Sequence, residues 1–241
     1  MLNKLHIGFS RSVSIPERGC LFIDDEVPEV PRARIFDPRF DSFNPLANID
    51  YKKAREIADV LYTLYPQGEN TLTVRNGRRA LMQELLHAKR LDQVKGDDEV
   101  QGLIGDILAS PTLRKVLCTR TNFSFKPSSI ILARINRADL GEFDALVLGL
   151  LLMSHFKGQL IVPDFGFYGR EAHIGLIREK RLTAGVDFLG ELPPKLRRAV
   201  LTIKDKEASG ATYEDAVTLA QYERLVPNTN AFNDFVQAAM M

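Results

Sequence analysis

The sequence predicts an α/β fold with a mostly parallel central sheet and helices on both faces, and three observations predict it. Short apolar runs such as SIILARI (129–135) and QLIVPD (159–164) are nearly continuous rather than alternating, as strands buried on both faces require. These runs alternate with helical stretches, and strand–helix–strand order implies right-handed crossovers and parallel pairing. The 241 residues are 45% hydrophobic and 26% charged, enough to bury a sizeable core.

Taken in order, residues 1–48 read as an irregular arm rich in proline, with Pro16, Pro28, Pro31, Pro38 and Pro45. Two short β-like runs interrupt it, CLFID (20–24) and ARIFD (33–37), each ending in an acid. Proline cannot donate to a ladder, so both strands should be short or lie near an edge. The α/β domain then spans 49–227. Asp50 is suited to cap a helix over 51–65, with Ile57, Val60, Leu61 and Leu64 on one face and Lys52, Lys53, Arg55 and Glu56 on the other. Pro66, Gln67 and Gly68 stop it.

A helical insertion follows at about 70–120. Its first helix, 71–91, carries Leu81, Leu85 and Leu86 opposite Arg75, Arg78, Arg79, Lys89 and Arg90. The polar stretch 93–99 with Gly96 reads as a loop, and helices resume at 100–108 and 112–118. Beyond it the pattern gives a strand at 129–135, a buried helix at 139–156, a strand at 159–164 and a short helix at 170–179. Strands at 182–189 and 199–203 come next, then a helix capped by Thr212 and running to Leu225, with Asp215 completing its first turn. The tail, 228–241, brings Phe232, Phe235, Val236, Met240 and Met241 together as a docking segment for the body or for a neighbour.

Composition narrows the function classes. A formal net charge of +1 supplies no global field toward nucleic acid or membrane, so any such surface must be local. The greasiest run, 145–153, is far shorter than the ~20 residues of a membrane span, and the N-terminus lacks the apolar core of a signal peptide. Cys20 and Cys118 lie far apart and read as buried, reduced thiols. A cytoplasmic protein without a membrane span is the expectation.

The candidate site is Asp164, which ends a buried strand where open parallel sheets bind ligands. A carboxylate there either holds a metal ion beside a phosphate or caps the next turn, since Gly166 and Gly169 leave the backbone free to bend. No Gly-x-x-x-x-Gly-Lys-Ser/Thr occurs, so the phosphate cradle and its lysine are both missing. Three basic clusters either hold a nucleic-acid backbone or form solvated faces: Arg75, Arg78 and Arg79; Arg178, Lys180 and Arg181; and Lys195 with Arg197 and Arg198. No aromatic residues are interleaved with them in sequence. Asp24, Asp25 and Glu26 either hold a cation or make a solvated acidic loop. His6, His87, His155 and His173 show no metal spacing, and Ser154 beside His155 on one helix makes no nucleophile–base pair.

One resemblance joins these pieces. RIFDPRFDSFNPL (34–46) is followed by a helical insertion, SIILARI, DLGEFDALVLGLLL and QLIVPDF. In that order they resemble the part downstream of the phosphate loop in hexameric DNA-pumping ATPases of the HerA/FtsK group and the conjugative coupling proteins. The phrase Phe43-Asn44-Pro45-Leu46 is the distinctive match. The resemblance implies a RecA-like, phosphate-loop-like fold, with Asp164 as the metal-holding acid.

It also exposes departures. The family's water-polarising glutamate stands here as Phe165, which cannot accept a proton. The 182–189 strand offers Asp187 and Phe188 where a polar γ-phosphate sensor is usual, and 6–19 contains no lysine. What the resemblance implies is a degenerate module kept for assembly or non-specific DNA contact, as a homo-oligomer or part of a larger complex, that can take ATP with magnesium but does not hydrolyse the ATP, or else a chain whose phosphate loop is supplied elsewhere. Two alternatives stay open: a structural or scaffold protein of a virus or mobile element, and an ATPase using an unconventional phosphate loop around Gly8–Gly19.

Overall fold

The computed structural model describes residues 3–8, 14–64, 71–208 and 211–225. The chain forms two compact units, one of Met1–Asp24 with Gly158–Met241, the other Asp25–Lys157. Every strand pairing within either unit is parallel, and helices separate the strands along the chain, so the protein is an α/β fold on a parallel sheet.

The first unit contains β1 (Lys4–Ile7), β2 (Cys20–Asp24), β5 (Gln159–Val162), β6 (Leu182–Val186) and β7 (Asp205–Ala208), in the spatial order β2-β5-β6-β1-β7. Registers are tight: Leu160 faces Leu182, Leu5 faces Ala184, and Lys4 faces Asp205. Buried on both faces, Leu5, Leu21, Ile23, Leu160, Val162, Leu182 and Ala184 are fully withdrawn from solvent. Gly185 is required in β6, because a Cβ there would sit 2.9 Å from the Pro163 carbonyl carbon. Helices α7 (Phe165–Tyr168), α8 (Ile174–Arg178), α9 (Pro194–Leu201) and α10 (Tyr213–Leu225) belong to this unit.

The second unit pairs β3 (Arg34–Phe36) with β4 (Ile130–Arg134) and packs them with α1 (Tyr51–Leu61), α2 (Thr71–His87), α3 (Asp98–Ala109), α4 (Pro111–Cys118), α5 (Arg137–Leu140) and α6 (Glu142–His155). Asp50, Asp97, Ser110 and Asn136 each accept a backbone N–H of the following first turn, which starts α1 where the sequence places it and starts α3, α4 and α5 one or two residues earlier than expected. Phe36, Phe43, Phe123 and Phe125 form an aromatic cluster with ring centroids 4.9–5.7 Å apart, and His155 stacks into it. It explains why the FNPL phrase is held: Phe43 is buried there, and Asn44 donates from Nδ2 to the Lys89 carbonyl at 2.7 Å.

Several expectations need correction. Residues 199–203, expected as a strand, instead end α9 and its turn. Pro194 opens that helix, and Leu196, Val200 and Leu201 fall on its buried side at helical spacing. The arm expected to be irregular contains β1. Strand β7 was not anticipated because DKEA has no apolar pattern; it is made by pairing with β1, and Glu207 reaches Lys4 and His6 across the pair. Expected as one helix, 139–156 is broken at Gly141, whose φ of 82° only glycine adopts without strain. The docking segment with Phe232, Phe235, Val236 and Met240 lies outside the described residues.

Candidate functional site

Two places in the fold gather the chemistry. The first is the carboxyl edge of the sheet in the first unit. From β1 the chain crosses to β2, returns through β5 and β6, and then passes β1 to reach β7. Connections from the adjacent strands β1 and β6 therefore leave in opposite directions, which opens a crevice beyond their carboxyl ends. Gly8, at φ 103°, ends β1 there and donates its N–H to the Val186 carbonyl at 2.9 Å. The loop that follows, 9–13, lies outside the described residues.

Asp164 closes β5 at the same edge and is 9% exposed. It stands at the N-cap position of α7, yet its carboxylate makes no capping bond to that helix. The expectation that Asp164 caps the next turn is therefore not met. Glu191 comes from the turn after β6. Its Oε2 accepts the Asp187 N–H at 3.3 Å, and a Cβ on Gly166 would lie 2.8 Å from its Cδ, so the glutamate lies over the start of α7. Burial, and then the neighbouring Asp187 and Asp164, push the Glu191 carboxyl above the usual carboxylate range. Phe188, beside them, is 45% exposed.

The described residues at this edge do not by themselves supply a cradle for a magnesium-bound triphosphate. The charged side chains named at this edge, Asp164, Asp187 and Glu191, are acidic. Arg170, after α7, and Arg197, on α9, are used on backbone: Arg170 donates to the Phe167 and Gly169 carbonyls, Arg197 to those of Gly190 and Leu192. Among the described residues no set of three or more His, Cys, Asp or Glu side chains is arranged to hold a metal ion.

The second place is a cleft of about 780 Å³ in the second unit, between α1 and α2. The two helices meet because α1 turns Ile57, Ala58 and Leu61 inward and α2 answers with Leu81, Met82 and Leu85. Gly77 lets them close up, since a Cβ there would stand 2.9 Å from Tyr62 Cζ. On the open side the packing brings Arg55 from α1 opposite Arg75, Arg78 and Arg79 from α2, with Tyr51 also lining the cleft. Asp59 sits among them, 3.3 Å from Arg78 Nη1 and 3.8 Å from Arg55 Nε. Four arginines thus line the cleft, and two of them, Arg55 and Arg78, pair with Asp59. The sequence signalled the α2 arginines; Arg55 and Tyr51, on a different helix, carried no such signal.

Two members of the other basic clusters are tied to backbone carbonyls. Arg181 donates to the Gly158 carbonyl at 3.1 Å and to Glu179 at 2.9 Å, and Arg197 is tied down as above. Arg178, Lys180 and Arg198 are exposed. Asp25, from the acidic triplet, pairs with Arg137 at 3.0 Å. Ser154 donates to the Leu150 carbonyl within its own helix and has no role toward His155. Among the described residues no helix is long and apolar enough to cross a membrane. Comparison of the chain with protein-family models, with curated proteins and with solved structures returns no match.

Proposed function

We propose that this chain is a degenerate, translocase-like module of the HerA/FtsK kind that contacts DNA and assembles with itself or a larger complex, without hydrolysing ATP on its own. One observation carries the reading. β1, followed by Gly8, and β5, followed by Pro163 and Asp164, flank β6 in a parallel sheet, so the end of the first strand and an acid stand on one carboxyl edge. A phosphate-loop site needs that juxtaposition, with a lysine and a water-activating acid added to it. Here Phe165 follows Asp164 and is fully buried, and 6–19 supplies no lysine. The arginines between α1 and α2 supply the positive surface for DNA. Both cysteines are buried and free, in keeping with a reducing cytoplasm.

A second reading, an ATPase with an unconventional loop at 8–19, is favoured by Glu191, whose raised carboxyl pKa and position near Asp164 suit a general base. One assay separates the two. Purified protein with magnesium and ATP should show no turnover above the buffer rate, and Asp164→Ala and Glu191→Gln should change nothing. Steady hydrolysis abolished by either substitution would replace the first reading with the second.

A further inference from the structure

We propose that the cleft between α1 and α2 binds single-stranded DNA, its phosphates on the arginines and a base on Tyr51; this rests on the DNA-contact reading above and assigns it a site and a form of substrate. The argument begins with charge. Arg55, Arg75, Arg78 and Arg79 line one cleft with Asp59 as the acid that spaces Arg55 and Arg78, so the cleft keeps a positive excess that only an anion offsets. Guanidinium forks match phosphate oxygens in pairs, and arginine is more weakly hydrated than lysine. Arg75 and Arg79 stand four residues apart on α2, about 6 Å along the axis, and present two such forks in line.

Shape selects the strand form. Packed helices have axes about 8–10 Å apart, and a duplex, whose major groove alone is about 12 Å wide, cannot enter the groove between them. A single strand can. Its bases are unpaired and free to stack, and Tyr51, 60% exposed, offers a ring at the cleft. Asn76 and Gln83 also line it and can hydrogen-bond any base edge, consistent with binding that is tolerant of sequence. The aromatic platform that the basic clusters lack along the sequence is therefore provided across two helices.

Fluorescence anisotropy tests this with the full chain, a labelled oligodeoxythymidine of about 20 nucleotides, and a duplex of equal length, at about 50 and 200 mM salt. The single strand is expected to bind at least about tenfold tighter than the duplex. The double charge reversal Arg75→Glu with Arg79→Glu should weaken it by about 100-fold and reduce the slope of log K against log salt by about 1.4, two contacts at ~0.7 each. Tyr51→Ala should cost about tenfold on the single strand and nothing on the duplex, and Tyr51→Phe should restore it. All three positions are exposed, and circular dichroism checks the fold. Should the double variant fail to fold, the Tyr51 pair decides alone. Single-strand binding unchanged by these substitutions, or lost only in Arg178→Glu with Arg198→Glu, would overturn the cleft and leave the DNA-contact reading standing. No binding of either DNA form overturns both.

Discussion

His173 is 3% exposed and accepts the Arg170 N–H on Nδ1 at 3.1 Å, so it is held as the neutral ring. Burial, helped by the Arg170 charge, lowers its pKa to about 3. His155, packed against Phe43 and Phe125, is lowered to about 4, by burial first and then by Lys53. In the unfolded chain both return toward the ordinary value of 6.5. The unfolded state then takes up protons first as pH falls. The stability these rings contribute is complete above about pH 6.5 and is lost as pH drops toward their folded values. Between pH 7 and 5 the loss is on the order of 2 kcal/mol for each histidine. Urea unfolding at the two pH values should show it, and His173→Gln should flatten the dependence even if the variant is less stable throughout. An unchanged pH dependence in that variant would mean the ring is not held neutral.

At the scale of an element, α8 shows how a terminus overrides side-chain preference. It stops in a Schellman arrangement: the Arg181 N–H reaches the Leu176 carbonyl at 3.0 Å and the Lys180 N–H reaches that of Ile177 at 3.1 Å. That geometry requires a left-handed residue at 180, and lysine takes φ 56° there although glycine would adopt it freely. Lys180→Gly should therefore stabilise the protein by about 0.5–1 kcal/mol, read as a higher unfolding midpoint in denaturant. A loss of stability would mean that the lysine side chain contributes more than its backbone strain removes. The capping residues Asp50 and Thr212 were legible in sequence because a cap is a local interaction. Thr212 and Asp215 do bond reciprocally, and Asp215 additionally accepts the Leu189 N–H at 2.8 Å, a tertiary use that no local pattern announces.

For the whole molecule, the open question is assembly. The segment 228–241 carries Phe232, Phe235, Val236, Met240 and Met241, an apolar density that marks an interaction surface when it meets water. If the tail joins copies of the chain, deleting 228–241 should lower the mass measured by light scattering and leave the melting temperature in place. A large drop in melting temperature at constant mass would show instead that the tail completes the core of its own chain.

The fold class was legible because its signals are local. Continuous apolar runs at β4 and β5, the all-round apolar α6, and caps at α1 and α10 each depend on a few neighbouring residues. Asp164 was legible as well, since the end of a buried strand is a place a sequence can mark. The sequence could not assign β7, where Asp205–Ala208 is a strand only because β1 lies beside it, nor α9, whose residues 199–203 suit a strand as well as a helix until burial chooses. It could not bring Glu191 to Asp164, or Arg55 and Tyr51 to the arginines of α2. Residues far apart along the chain become neighbours only when strands pair and helices pack, and the order in which β2, β5, β6, β1 and β7 stand side by side is a property of that packing alone.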